Sequence, residues 1–157
     1  MKTRHVRLAY AAGVIDSDGC ILIARSHGHQ YWERISVEQR EPAGIQVLAN
    51  LFGGQPRIRK RVQTTTMCVW AIQGRQAHAA LAALLPYLQI KRQQAENALQ
   101  VRKLVDTGKL VSTQGRGTGH GRGHQKRPAD ISEALERIWL YSKALHHLPD
   151  SLLYPVV

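Results

Sequence analysis

Acidic residues are scarce in this chain, and so are cysteines and long apolar runs. The 157 residues include 11 acids against 22 lysines and arginines, a formal charge of +11. An imbalance of that size disfavours a basic partner and points to a polyanion, most often nucleic acid. The two cysteines, Cys20 and Cys68, lack metal-ligand spacing, and they read as reduced core thiols rather than a disulfide. No apolar run approaches the roughly 18 residues needed to span a bilayer, so no membrane partner is expected. The basic start "MKTRHVR" is not followed by a long signal-type apolar segment. The expectation is a nucleic-acid binder inside a cell, in a bacterial cytoplasm or an organelle, and not a secreted protein.

What is present reads as one domain over residues 1–157, with a core at about 8–107. An Ala-rich helix over Leu8–Ile15 leads into a strand, "CILIARS". After a turn at Gly28, "YWERISVEQ" alternates Ile35 and Val37 with Arg34 and Ser36, which predicts an antiparallel hairpin. Pro42 opens a second helix and Gly53-Gly54 closes it. A second hairpin follows. Its first strand sets Arg57, Arg59 and Arg61 opposite Ile58, and its second, "TTTMCVWAIQG", has two largely apolar faces whose register stays open. A helix stopped near Pro86 comes next, then another that Gly108 is expected to end.

Residues 112–128, "STQGRGTGHGRGHQKRP", hold five glycines and no acid, and read as a basic loop. His120 and His124 in it are weak metal-ligand evidence. Asp130 with Glu133 suggests a capping box for a last helix over about 131–148, with Ile131, Leu135, Ile138, Ser142 and Leu145 on one face. The order α-ββ-α-ββ-α-α-loop-α implies an α+β fold: one four-stranded antiparallel sheet with helices on one face. Its other face would carry arginines, either as a solvated surface or as one that reads nucleic acid.

The stretch "LAYAAGVIDSDGCI" is the most informative. Two acids, Asp16 and Asp18, stand at the carbonyl end of a helix, where a negative charge is unfavourable. They form either a turn or, with the helix-end carbonyls, an oxygen ligand set of the kind Mg²⁺ or Ca²⁺ prefers. Ala9, Ala12 and Gly13 share a face, which suits either the chain's own core or the close approach of a partner helix.

"AAGVIDSDG" (Ala11 to Gly19) resembles the signature of the LAGLIDADG homing endonucleases, with Ala for Leu first, Val for Leu fourth and Ser for Ala seventh. "LLPYLQIKRQQAENAL" (Leu84 to Leu99) is similar to that family's Pro-aromatic-Leu-x-x-Lys-x-x-Gln-Ala block, and "VEQ" ends the second strand as it does there. The single motif resembles the homodimeric class. The resemblance implies an α-ββ-α-ββ-α saddle over double-stranded DNA, two motif helices side by side, and Mg²⁺-dependent cutting of a long pseudo-palindrome to leave 3′ overhangs, with Mn²⁺ or Ca²⁺ substituting in binding. The alternative is a non-catalytic nucleic-acid binder, such as an RNA maturase or a degenerate DNA-binding relative.

The resemblance also implies roles for single residues. Asp18 matches the catalytic acid and metal ligand, and Ser17 contributes a backbone carbonyl to the metal. Asp16 is mainly structural, at the dimer interface with Ala9, Ala12 and Gly13. Gln39 matches a residue that orders water, and Lys91 a basic residue near the scissile phosphate, able to stabilise developing charge. The position four after Gln39, basic in some relatives, is Ala43 here; Arg40 and Arg61 are the candidate substitutes. The DNA-facing set is Ser26, Gln30, Trp32, Arg34, Ser36, Arg57, Arg59 and Arg61, with Arg116 and Arg122 from the basic loop. Arginine suits guanine and glutamine suits adenine; Trp32 suits hairpin packing as well as reading.

Overall fold

A computed structural model describes residues 2–26, 30–60, 66–113 and 128–147. Arg61, Arg116, Arg122, His120 and His124 lie outside the described residues. The elements are α1 (Lys2–Asp18), β1 (Gly19–Arg25), β2 (Tyr31–Gln39), α2 (Pro42–Phe52), β3 (Arg57–Lys60), β4 (Thr66–Gln73), α3 (Arg75–Leu84), α4 (Arg92–Thr113) and α5 (Ala129–Leu145). The expected order of elements holds. The four strands form one antiparallel sheet in the order β1-β2-β4-β3.

Alternation assigns the two faces. Ile21, Ile23, Tyr31, Ile35, Val37, Trp70 and Ile72 are buried beneath the helices. That resolves the open register of β4: Trp70 and Ile72 point inward, while Val69, Ala71 and Gln73 share the outward face with Arg34 and Ser36. The β3 pairing of Arg57 with Val69 and of Arg59 with Met67 puts both arginines on that face too.

Three boundaries differ from expectation. Helix α1 begins at Lys2 rather than Leu8. Helix α4 runs through Gly108 to Thr113; Gly108 is buried, and packing compensates a glycine's low helix propensity of about 1 kcal/mol. Helix α5 starts at Ala129 and ends at Leu145, short of 148. It has Pro128 at its N-cap and no side-chain cap bond, so Asp130 and Glu133 form no capping box. Asp130 lies instead in the first turn, where its charge suits the helix dipole.

Helix α5 also covers a sheet edge. The Ile23 N–H donates to Ser142 Oγ at 3.3 Å, and His146 Nε2 lies 2.9 Å from the Ile21 carbonyl oxygen. An uncovered edge strand offers such groups to any extended chain. Arg25 holds the far end of β1, pairing with Glu136 at 2.8 Å and stacking over Trp139.

Beneath the sheet lies a charged group that the sequence reading missed. Glu33 alternates inward between Tyr31 and Ile35 and is 0% exposed. Arg102 of α4 donates to Glu33 Oε2 at 3.0 Å, and His78 Nδ1 of α3 lies 3.0 Å from Oε1. The signal was present as an acid at an apolar position of the alternation.

Candidate nucleic-acid interface and acid site

Helix α1 must turn into β1 at once, because Asp18 ends one and Gly19 begins the other. A Cβ at Gly19 would stand 2.6 Å from the Ile15 carbonyl oxygen, so only glycine fits there without displacement.

The two acids of the motif face different ways. Asp16 is buried. Its Oδ2 accepts the Gln89 N–H at 2.8 Å and its Oδ1 the Lys91 N–H at 2.9 Å. It therefore fastens the segment between α3 and α4 to the end of α1. The Lys91 ammonium returns the contact, donating to the Ile15 carbonyl at 3.0 Å and to the Asp16 carbonyl. A cation on the last carbonyls of a helix is favourable, and it offsets the electronegative end at which the acids stand.

Asp18 is exposed. Gln39, at the end of β2, donates from Nε2 to Asp18 Oδ2 at 2.6 Å. Gly44 in α2 makes room for Gln39: a Cβ there would lie 2.7 Å from Gln39 Oε1 and 3.2 Å from Val14 Cγ2. The sequence reading missed Gly44, because its importance comes from a side chain on another element. Ser17 is exposed, and its hydroxyl donates to the Val14 carbonyl at 3.2 Å. Ala43 and Arg40 are both exposed, on the first turn of α2 and just before it.

The structure thus brings Asp18 and Gln39 into contact, with Lys91 on the same helix end. Among the described residues no three His, Cys, Asp or Glu side chains are grouped to hold a metal ion. A single exposed carboxylate beside helix-end carbonyls offers hard oxygen donors that fit Mg²⁺, but one chain supplies only part of a shell.

The four residues expected at a dimer interface divide into two exposed and two buried positions. Ala9 and Gly13 are exposed, and a Cβ on Gly13 would meet nothing within 4 Å. Ala12 is fully buried in the chain's own core and Asp16 is turned inward, so neither is on a surface open to a partner. The 3.6-residue period places Ala12 beside Ile15 and Leu8, away from Gly13. The exposed stripe of α1 instead runs through Val6, Ala9, Tyr10 and Gly13, and the apolar Val6 and Tyr10 were the signal for it.

On the outward face of the sheet, Arg34, Arg57 and Arg59 are exposed, and Ser36 and Trp32 are half-buried. Ser26 and Gln30 close the β1–β2 end, where the Ser26 N–H donates to the Gln30 carbonyl at 3.0 Å. Gln55, Gln73 and Gln76 join Arg34 and Arg57 around a concavity of about 380 Å³. Glu38 also faces outward, with Oε2 3.7 Å from Arg59 Nη1. Cys20 is half-buried on this face, opposite Ser36. Burial pushes its thiol pKa up, only partly offset by the nearby charges of Lys91 and Arg34.

No family model and no curated protein matches the chain, but solved structures match its fold. The homing endonuclease I-CvuI, crystallised with the I-CreI target in 2 mM Mg with the DNA not cleaved, is 23% identical over 95% of this chain and 100% of its own, with a TM-score of 0.55. The archaeal intron-encoded homing endonuclease I-Vdi141I, complexed with DNA, is 12% identical over 87% of this chain and 99% of its own, with a TM-score of 0.54. The homing endonuclease I-TnaI is 13% identical over 89% and 93%, with a TM-score of 0.52. At these identities the likeness establishes architecture: the chain has the fold of the LAGLIDADG homing endonucleases.

Proposed function

We propose that this protein is a site-specific double-strand DNA endonuclease that works as a homodimer. The observation that carries the reading is the contact of Gln39 with the exposed Asp18 carboxylate at 2.6 Å, on a helix end that also holds Lys91. The arginine-bearing face of the sheet supports DNA as the substrate, as do the DNA complexes among the proteins of like fold. The single domain would use its Gly-rich loop, with Arg116 and Arg122, as a flanking phosphate grip. Residues Arg34, Ser36, Arg57, Arg59, Arg61, Ser26, Gln30 and Trp32 make up the reading face. Two copies meeting along Ala9 and Gly13, with Val6 and Tyr10 beside them, would bring a second Asp18 to the first and set a target of about two helical turns, roughly 20 bp.

In this mechanism Asp18 would offer a carboxylate oxygen and Ser17 its carbonyl to a divalent cation. A divalent cation held there would polarise a phosphoryl oxygen and make water more acidic. Gln39 fixes the rotamer of Asp18 and orients water from its carbonyl oxygen. Lys91 stabilises charge developing on the phosphate, for which its ammonium exchanges a helix carbonyl for a phosphate oxygen. Cutting both strands leaves 3′ overhangs. The exposed Ala43, where a cation would assist, favours a second reading as a non-catalytic nucleic-acid binder.

Incubating the protein and its Asp18→Asn variant with a randomised duplex library in Mg²⁺ separates the two. Cleavage by the parent alone supports the nuclease. A parent that selects a duplex but never cuts it in Mg²⁺ or Mn²⁺ sinks the nuclease and leaves the binder. A monomer at micromolar concentration in sedimentation, with or without DNA, rules out the shared site.

A further inference from the structure

The strands present a basic outward face with one exception. Among the described residues of that face, Arg34, Arg57 and Arg59 are joined by a single acid, Glu38. Strand β4 lies between β2 and β3, so the Glu38–Arg59 pair reaches across it. Arg59 is 64% exposed and Glu38 25%, and an ion pair at 3.7 Å with one partner largely in solvent adds little stability. A carboxylate facing phosphates also lowers affinity for any duplex through like-charge repulsion. Neither stability nor general affinity accounts for an acid at this place.

Base recognition does. In the major groove a carboxylate accepts a hydrogen bond from the cytosine amino group, and arginine donates to guanine. The position along the strand is also informative. Gly19 pairs with Val37, so Glu38 lies one place further on, level with Asp18. The next residue of β2, Gln39, is the one that touches Asp18. Glu38 therefore stands near the reacting phosphate rather than at the outer end of the reading face.

We propose that Glu38 is a specificity-determining residue that selects cytosine in the part of each half-site closest to the cut, with Arg59 drawn by the ion pair toward an adjacent guanine. This rests on the endonuclease reading and adds a base and a position to it. The test compares duplexes selected from a randomised library by the full chain and by Glu38→Gln and Glu38→Ala, each first checked for an unchanged melting temperature. The parent is expected to prefer cytosine at a symmetric pair of positions near the cut. Both variants should lose about tenfold of that preference, with Gln shifting it toward adenine, while binding to unrelated duplex at low salt tightens. Folded variants with the parent's base preferences overturn the assignment of Glu38 and leave the endonuclease reading intact. A parent that selects no duplex at all overturns the endonuclease reading, and this inference with it.

Discussion

Asp16 and Asp18 stand two residues apart, and replacing each by its amide should have opposite consequences. Asp16 is 8% exposed, and its two oxygens each take a backbone N–H, from Gln89 and Lys91. An asparagine keeps one acceptor oxygen and turns an NH₂ donor toward the other N–H. A hydrogen bond to a charged group contributes about 1.5–3 kcal/mol, and a buried donor left unpaired costs about 1–3. Asp16→Asn should therefore destabilise the fold by about 2–4 kcal/mol. For a chain of this length each kcal/mol corresponds to about 2–4 °C, so the melting temperature should fall by roughly 5–15 °C. Asp18 is exposed; its amide loses a charge-assisted contact with Gln39 but relieves a carboxylate at a helix C-terminus. The two effects offset, and Asp18→Asn should stay within about 0.5 kcal/mol of the parent. Thermal and urea unfolding followed by circular dichroism, with DNA cleavage measured alongside, reads both. The expected pattern is an early-melting Asp16→Asn and a parent-like but inactive Asp18→Asn. An Asp16→Asn protein that melts within about 1 °C of the parent would refute the argument, because the carboxylate would not then be what fastens the segment before α4.

Other outcomes follow from the same geometry. Gly44→Ala should push Gln39 off Asp18 and cut the cleavage rate at least tenfold while leaving duplex binding intact; unchanged cleavage would show that the 2.7 Å approach is relieved elsewhere. Glu33→Gln should cost about 3–5 kcal/mol because it breaks a buried charge pair, whereas Glu33→Leu with Arg102→Leu should recover much of that in urea melts. A chelator should abolish cutting and Mg²⁺ restore it; cutting that persists in chelator removes the metal from the mechanism. Burial raises the Cys20 pKa, so its thiolate is scarcer at pH 8 than in an unfolded thiol, and iodoacetamide should label it more slowly in the native than in the denatured chain. The raised value also means that its share of stability is intact below the ordinary thiol pKa and shrinks as pH rises through the folded one.

Much of this was legible because periodicity is local. Ile35 and Val37 against Arg34 and Ser36 gave both the strand and its faces. The motif quoted from Ala11 to Gly19, with Lys91 and Gln39, marked residues that the fold does bring to one helix end. What escaped depended on contacts distant in sequence. Gly108 looked like a helix stop because nothing nearby shows that it is buried. Asp130 and Glu133 had capping spacing, but the chain enters α5 through Pro128. Ala12 and Gly13 adjoin in sequence, yet at about 100° per residue they fall on opposite sides of a surface boundary, Ala12 buried and Gly13 exposed. Gly44 carried no local signal, since the atom it accommodates belongs to Gln39.

The buried Glu33 has a consequence beyond its own energy. Neighbouring residues of a strand point to opposite faces, so a slip of β2 by one place would exchange its two faces completely. Apolar side chains alone resist such a slip only in degree. Glu33, held by Arg102 and His78 from two different helices, resists it more strongly: the slipped strand would strand a guanidinium in the core and drive Arg34 in beside it. The trio works as a detent. It sets β2 in one position, and so decides that Arg34, Ser36 and Glu38 face outward and that Gln39 arrives at Asp18. What the outward face presents is thus fixed in part by three side chains on the opposite side of the sheet.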